Sequence, residues 1–359
     1  MKKLVTIILC VMMLTFVACA GKNETNADNV NVAVLDKEAE NVAADNNDMQ
    51  TTDTQVTYPV TITDQMGRQV VINSKPERIV SPYYITSSML ISLGLADRMA
   101  GIEDNPEKRN IYGLSAEYLL ELPTVGTAKN LDLEMCATIE ADLVLLPMKL
   151  KDMSANLDEL GITNMVVNPE SVELLEDMIT IVGKATDTVD KATELNNYIN
   201  EQTKILNEKN KSVTPVTVYL SGNSDFLLTA SDAMYQSSMI ALAGGKNVAA
   251  DIEDTYWAEV DYEQILAWNP EYIILASAAG YTVDDVMNDP SIAMCDAVKN
   301  GNVYQIPSEL EAWDSPVPGA FLGSVWLESV LHPECMSETE YKAAVKEFYE
   351  KFYGVTGIE

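Results

Sequence analysis

Residues 132–146 read DLEMCATIEADLVLL, and residues 261–275 read DYEQILAWNPEYIIL. In both stretches, acidic residues precede a segment with helical spacing, which leads into an unbroken apolar run. Acidic side chains suit the positive end of a helix, and such apolar runs are typical of buried parallel strands. The two stretches lie 129 residues apart, which predicts two lobes of similar fold. The alternative is that any two helix–strand units look alike.

The segments around this repeat also alternate between strand and helix. Residues 61–72 predict two short strands around an Asp-x-x-Gly turn, residues 78–82 a short apolar strand, and residues 86–95 a helix with Ser and Thr at its start. This order favours an α/β fold with mainly parallel strands. Residues 187–210 lack Gly and Pro and carry apolar residues at helical spacing, which predicts one helix of roughly 36 Å that could bridge two lobes. A coiled-coil helix is the alternative, but the stretch is short for sustained heptads.

The first 19 residues have the anatomy of an export signal. A basic start precedes an apolar run over residues 4–17, which is shorter than the roughly 20 residues that span a bilayer. Ala18-Cys19 resembles the lipobox of bacterial lipoproteins, in which the cysteine is lipidated; the alternative is an ordinary signal with a chance cysteine. Residues 20–56 are polar and predict a disordered tether. We therefore expect a body anchored by lipid at Cys19 outside the cytoplasmic membrane, in the periplasm or on the cell surface.

Composition excludes several classes of protein. The chain has 23 Lys and Arg against 55 Asp and Glu, a formal net charge of −32, so it cannot neutralise a row of nucleic-acid phosphates or dock on anionic lipid through a basic patch. Its one histidine, His332, excludes a multi-histidine metal site, and we interpret it as structural. The mature chain would keep an odd number of cysteines without a CxxC motif, which favours buried free thiols: Cys136, Cys295 and Cys335. No GxGxxG, GxxxxGK[ST] or GxSxG motif supports an enzyme.

The order of several short motifs resembles the iron-complex-type solute-binding proteins of ABC importers. The motifs are VTITDQMGRQVVI at 60–72, KPERIVS at 75–81, LISLGLA at 90–96, Glu263 with NPEYII at 269–274, WDSP at 313–316, LG at 322–323, WL at 326–327 and LHPE at 331–334. The resemblance covers residues 57–353. It implies two Rossmann-like lobes, at 57–186 and 211–359, joined by a long backbone helix at 187–210, with the ligand in the cleft between them. It further implies a monomer without a cofactor of its own that carries a chelated metal to an ABC permease and its ATPase.

The predicted ligand site consists of aromatic residues in loops beside strands or helix starts. They are Tyr83, Tyr84, Tyr256, Trp257, Tyr281 and Trp313. Family members bind ferric siderophores, haem or cobalamin, and such chelates need an apolar, aromatic cleft with few polar contacts. For each ring, the alternative is an ordinary packed or exposed aromatic. A direct zinc or manganese site, as in related families, has too few ligands here, although an all-oxygen site stays open.

The arginines bear on the charge of the ligand. All four lie in the first lobe, at Arg68, Arg78, Arg98 and Arg109. Polyanionic ferric catecholates need clustered cations, so this distribution favours a near-neutral or cationic chelate such as a corrinoid, haem or neutral siderophore. Backbone amides can also bind anions, which leaves the charge open.

The family also docks on its permease through one carboxylate from each lobe. Position after the repeated strands makes Asp152 the candidate in the first lobe and Asp284 or Asp285 the candidates in the second. Lys149 and Lys151 crowd Asp152, which weakens that match. A ligand-sensing or surface-scavenging lipoprotein with the same cleft is the alternative to an importer component, and the sequence does not separate the two.

Overall fold

The computed structural model of the protein describes residues 55–252 and 255–358. The predicted signal, Cys19 and nearly all of the predicted tether lie outside the described residues. Within the described part, none of the helices has the length and apolar character needed to cross a membrane.

The first lobe is built on a four-stranded parallel sheet. Its elements are β1 (Val60–Thr63), β2 (Gln69–Ile72), β3 (Ile79–Val80), α1 (Tyr84–Ser92), β4 (Met99–Gly101), α2 (Asn110–Ser115), β5 (Gly126–Thr127), β6 (Asn130–Leu131), α3 (Leu133–Thr138), β7 (Leu143–Pro147), α4 (Ser154–Glu159), β8 (Asn164–Val167) and α5 (Val172–Thr186). The sheet order is β4-β3-β7-β8, and all three pairings are parallel. The strands β1 and β2 form a separate antiparallel hairpin, as the sequence predicted.

A long helix, α6 (Val189–Lys209), leads into the second lobe. That lobe contains β9 (Val216–Ser221), β10 (Leu228–Ala230), α7 (Tyr235–Leu242), β11 (Gly245–Asn247), β12 (Trp257–Glu259), α8 (Tyr262–Trp268), β13 (Tyr272–Leu275), α9 (Val283–Met287), α10 (Asp296–Asn300), β14 (Val303–Gln305), α11 (Phe321–Leu331) and α12 (Glu338–Tyr353). Its sheet has the order β12-β10-β9-β13-β14, with β11 also paired to β9. The strands β9, β11, β13 and β14 pair in parallel, whereas β10 pairs antiparallel with both β9 and β12.

The repeated sequence forms the same unit in both lobes. The Asp132 carboxylate caps α3 by accepting from the backbone N–H of Met135 at 2.9 Å, and Asp261 caps α8 by accepting from Gln264 at 2.7 Å. Each helix leads into a strand with a sheet neighbour on both sides, β7 between β3 and β8 and β13 between β9 and β14. The predicted helices and strands of the repeat are confirmed.

The first helix of the first lobe begins earlier than the sequence predicted. We expected Ser and Thr near residue 86 to cap it, but α1 starts at Tyr84 and Tyr83 provides no side-chain cap. The hydroxyls instead lie buried within the helix, where Thr86 donates to the carbonyl of Tyr83 at 2.8 Å. Buried Ser and Thr residues are tolerated inside a helix when their hydroxyl groups donate hydrogen bonds to buried acceptors. Here, Ser87 and Ser88 both donate to buried glutamates.

A buried carboxylate joins α1 to the second lobe. Glu311, in the segment after β14, accepts from Ser88 and, at 2.8 Å, from the hydroxyl of Tyr349 on α12. Tyr349 in turn accepts from the indole N–H of Trp313 at 2.8 Å, and the hydroxyls of Ser88 and Tyr353 lie 2.7 Å apart. Burial raises the pKa of Glu311. We call these five residues the Glu311 network.

A second buried carboxyl group has no such partners. Glu328 on α11 is 0% exposed, and neither of its carboxyl oxygens has a hydrogen-bond partner in the described part of the chain. Burial raises its pKa to about 7, while nearby Lys209 lowers it and Glu340 raises it. Lys209 lies at the end of α6 and Glu340 in the first turn of α12, so Glu328 lies where three helices meet.

The Glu311 network makes a first prediction about stability. Replacing Tyr349 with Phe leaves the N–H of Trp313 and one oxygen of Glu311 without partners, which costs about 1–3 kcal/mol. Chemical denaturation should therefore show Tyr349→Phe less stable than the matched variant Tyr304→Phe, whose ring is 37% exposed. Equal stability of the two variants would contradict the network.

Glu328 makes a second prediction, about pH. Because its folded pKa is raised above the ordinary value, the folded state holds the proton more tightly, and stability is lost as pH rises from about 4.5 to 7. The slope is at most about 1.4 kcal/mol per pH unit. Glu328→Gln cannot titrate, so its melting temperature should rise relative to wild type across that interval and level off above it. The exposed Glu347→Gln serves as control; parallel curves for Glu328→Gln and wild type would refute the assignment.

Candidate ligand-binding cleft

A cavity of about 200 Å³ lies between the two lobes. The first lobe contributes Tyr84 and Arg109, and the second contributes Ser277, Leu310 and Glu311. Tyr84 comes after β3, Ser277 is the second residue after β13, and Glu311 comes after β14. Ligands bind at the carboxyl ends of strands in open α/β sheets, and this cavity uses those ends from both sheets at once.

Arg109 provides the positive charge of the cavity wall. Its guanidinium carbon lies 4.2 Å from the centroid of the Tyr84 ring, a distance typical of cation–π contact. In the described part of the chain, its N–H groups have no hydrogen-bond or ion-pair partner. A planar fork of free donors is suited to bind a carboxylate or an oxyanion.

The other three arginines use their side chains in hydrogen bonds or ion pairs with residues of the fold. Arg68 pairs with Asp64 at 2.7 Å, Arg78 donates to the carbonyl of Ile139 at 2.6 Å, and Arg98 donates to the carbonyl of Thr186 at 2.8 Å. Arg109 is therefore the one arginine of the described residues that is free for a ligand. Lys108 adds an exposed ammonium group at the edge of the same cavity.

A second buried glutamate lies on the first-lobe side of the cavity. Glu103 accepts from the hydroxyl of Tyr112 at 2.5 Å and from Ser87 at 2.6 Å. Burial raises the pKa of Glu103, and the charge of Arg109 lowers it. Arg109 has the same lowering effect on the pKa of Glu311. The charge of Arg109 thus acts on two carboxyl groups whose oxygens accept hydrogen bonds from hydroxyl groups and make no direct ion pair with it.

A smaller hollow of about 100 Å³ adjoins the tyrosine pair. Tyr83, Lys149 and Glu170 line it at the carboxyl ends of β7 and β8. The rings of Tyr83 and Tyr84 meet edge to face, with centroids 5.6 Å apart, so the pair separates the two spaces. Burial raises the pKa of Glu170, and Lys149 lowers it.

The six predicted aromatic residues have different surroundings. Tyr84 lines the cavity and Tyr83 lines the adjoining hollow. Trp257 packs over Gly222, where an added Cβ would lie 3.3 Å from its ring, and Tyr281 donates to the carbonyl of Gly222 at 2.6 Å. These two rings therefore cover the end of β9 rather than line the cavity.

The structure does not bring the remaining two rings to the cavity. Trp313 is 3% exposed, with its N–H bonded to Tyr349 and its ring edge-on to Tyr341, and it belongs to the core. Tyr256 is 56% exposed and precedes β12, with its carbonyl bound to the N–H of Ser231. In the register of the sheet, Tyr256 lies two residues before the position on β12 that is level with Ser221. Ser221 is the carboxyl end of β9.

The sequence analysis missed Arg109 and Glu311 as cavity residues. Arg109 entered the sequence analysis only as one of four arginines, and Glu311 did not enter it. Asn110 was also missed: its side-chain amide donates to the carbonyl of Glu309 at 2.9 Å and so bridges the lobes beside the cavity. Its place directly after Arg109 gave no signal in the sequence.

The candidate metal ligands are not assembled into a site. Within the described ranges, no group of three or more His, Cys, Asp and Glu residues is placed to hold a metal ion. His332 is buried, with its Nε2 3.0 Å from the carbonyl oxygen of Gly244. Cys136, Cys295 and Cys335 are all free.

The predicted docking carboxylates are exposed. Asp152 lies in the turn that follows β7, and Asp284 and Asp285 lie in the first turn of α9. The carboxylate of Asp285 accepts from the hydroxyl of Thr282 at 2.8 Å and from its N–H at 2.9 Å, so it serves as part of a helix cap.

Comparison with known proteins identifies relatives of the whole body. The molybdate-binding protein MolA of Haemophilus influenzae is 24% identical over 319 residues, which cover 81% of this chain and 90% of that protein. The ABC transporter substrate-binding lipoprotein YvrC of Bacillus subtilis is 26% identical over 283 residues, covering 76% and 86%. The crystal structure of Helicobacter pylori CeuE with Ni(II) bound has the same fold, with a TM-score of 0.74, 21% identity and coverage of 83% and 97%.

The family model described as periplasmic binding protein matches residues 79–310, from β3 to the segment beside Glu311. That match spans both sheets and includes Tyr84, Arg109 and Ser277 of the cavity wall. The chain therefore belongs to the periplasmic binding protein family, as a solute-binding protein of ABC transporters and not an enzyme.

Proposed function

We propose that the protein binds a compact anionic metal complex in its cleft and delivers it to an ABC permease. The observation that carries the proposal is the free guanidinium of Arg109 on the Tyr84 ring, inside a cavity shared by both lobes. The complex would be a metal oxyanion or a small chelate with one or two negative charges. The name of the Haemophilus influenzae relative, a molybdate-binding protein, supports the first of these.

The charge of the cavity supports a ligand of low negative charge. One free guanidinium and the ammonium of Lys108 can balance one or two charges, but not a polyanionic ferric catecholate. The sequence favoured a near-neutral or cationic chelate because all four arginines lie in the first lobe. The surroundings of Arg109 favour a weakly anionic cargo instead. The five N–H donors of its guanidinium have no acceptor among the described residues.

The size of the cavity supports a compact ligand. Pockets for drug-sized molecules usually measure about 300–1,000 Å³, whereas this one measures about 200 Å³. A haem or a corrinoid would require the lobes to separate, and the Glu311 network and the Asn110–Glu309 hydrogen bond oppose that movement. The relatives named vitamin B12-binding protein match only 45–58% of this chain. Cobalamin is therefore included among the ligands to be tested. Lipidation at Cys19 stays a prediction.

We further propose that the repeat supplies the permease-docking carboxylates. Glu134 and Glu263 are related by the 129-residue offset and lie exposed in the first turns of α3 and α8. A helix that precedes a strand runs back along the sheet, so its first turn lies at the edge where the strand ends, which is the edge of the cleft. The pair therefore offers one carboxylate per lobe in equivalent positions, which Asp152 and Asp284 do not.

The cargo proposal predicts the effect of Arg109→Gln. Loss of a charge-assisted hydrogen-bond pair should weaken binding of the cargo about 10- to 100-fold. Calorimetric titrations would use molybdate, tungstate and sulfate alongside cobalamin, haem and ferric siderophores. The matched control is Lys151→Gln, which removes a positive charge from an exposed residue outside the cavity wall.

Two results would overturn that proposal. One is unchanged affinity in Arg109→Gln, and the other is a wild-type protein that binds cobalamin, haem or a neutral siderophore and none of the anions. The larger chelates expected from the sequence would then be the cargo.

The docking proposal predicts a separation of binding from delivery. The double variant Glu134→Ala/Glu263→Ala should keep its ligand affinity but deliver the ligand about tenfold more slowly at moderate salt, because rim charges act mainly on association rate. The measurement is uptake by cells or proteoliposomes that contain the cognate permease. The comparison variant is Asp152→Ala/Asp284→Ala; if that pair loses delivery while the glutamate pair keeps it, the docking residues are the aspartates.

A further inference from the structure

An apolar patch lies beside the entrance to the cleft. Leu114 is 55% exposed, Tyr118 47% and Leu120 36%, and all three lie within seven residues on α2 and the turn that follows. An isolated exposed leucine needs no explanation, but a cluster next to a ligand cavity marks a binding surface. The chain carries a net charge of −32, so it has many charged side chains with which to cover its surface. A shortage of polar residues therefore does not explain the exposed apolar cluster.

Two residues of the patch, Leu114 and Leu120, line a hollow that shares wall residues with the cleft. This hollow measures about 400 Å³ and is lined by Leu114, Leu120, Arg109, Asn110 and Glu309. Arg109 and Asn110 also line the interlobe cavity. Gly113 contributes to the floor, where an added Cβ would lie 3.6 Å from a methyl group of Leu120. The two spaces therefore share the wall formed by Arg109 and Asn110.

Both lobes contribute to the hollow. Glu309 belongs to the second lobe, and its carbonyl accepts from Asn110 of the first lobe at 2.9 Å. Leu114 and Glu309 in turn line a further groove of about 450 Å³, whose apolar wall includes Leu310 and Val355. A molecule anchored at Arg109 therefore meets apolar surface as it leaves the cavity.

We propose that this hollow, which we call the outer hollow, holds an apolar arm of the cargo while the anionic metal-binding head lies at Arg109. The inference rests on the proposed function and narrows its substrate class to an organic chelate with a short apolar arm. The shared wall at Arg109 is the argument for a ligand arm rather than a permease segment. The acidic groups of Glu107 and Glu309 at the rim disfavour an anionic arm and are compatible with an uncharged one.

The test uses anilinonaphthalene sulfonate, a fluorescent probe with an anionic head and an apolar ring system. The protein should bind one molecule of the probe, and Arg109→Gln should weaken that binding. Leu114→Ser and Leu120→Ser should each weaken it about tenfold while leaving the affinity for molybdate, which has no arm, unchanged. Met294→Ser is the control, because Met294 is 70% exposed and belongs to the second lobe, away from the hollow.

Three outcomes overturn the inference. It fails if the probe does not bind, or if the probe binds equally to the leucine variants and to Met294→Ser. It also fails if the leucine variants keep probe affinity but lose delivery to the permease, since the patch would then be a permease contact. If molybdate does not bind but the probe depends on Arg109 and both leucines, the oxyanion form of the proposed function fails and this inference stands. Thermal unfolding confirms that each variant is folded.

Discussion

The carboxyl group of Glu311 is the interaction on which the arrangement of the two lobes depends. It reaches from the segment after β14 to Ser88 on α1, and Tyr349 on α12 bonds to its other oxygen. An unpaired carboxylate in this position would cost several kcal/mol, so the network favours the geometry in which Ser88 and Tyr349 both donate to Glu311. The same residue lines the ligand cavity, which ties the shape of the cavity to the contact between the lobes.

The charge of Arg109 lowers the pKa of two buried glutamates, Glu103 and Glu311. The oxygens of these glutamates accept hydrogen bonds from hydroxyl groups of Tyr112, Ser87, Ser88 and Tyr349, and neither glutamate pairs directly with the guanidinium. The guanidinium therefore gains their long-range attraction without a direct ion pair, and the face of Tyr84 supports it. On a strongly acidic protein, this local balance keeps one set of strong donors available for an anion.

Local sequence predicted the elements that local chemistry determines. The acidic caps of α3 and α8, the β1–β2 hairpin and the helix between the lobes all follow from residues within one or two turns of each other. The site did not follow in the same way. Tyr84 and Trp313 both come soon after a strand in the sequence, but Trp313 is covered by Tyr341 and Tyr349, which lie about 30 residues further along the chain. Which arginine lacks a partner is likewise decided by distant residues.

A stiff frame around a small cavity restricts the cargo in a specific way. The α6 helix fixes the distance between the lobes, and close packing of Gly183 on α5 against Ala192, where an added Cβ would lie 2.4 Å from that of Ala192, holds its start. We expect lobes joined by such a helix to move by small amounts, which would keep the cavity close to its present volume. A bulky group must instead leave through an opening, and the opening at Arg109 leads onto Leu114 and Leu120. The same rigidity that limits the head of the ligand therefore requires any arm to lie outside the cavity.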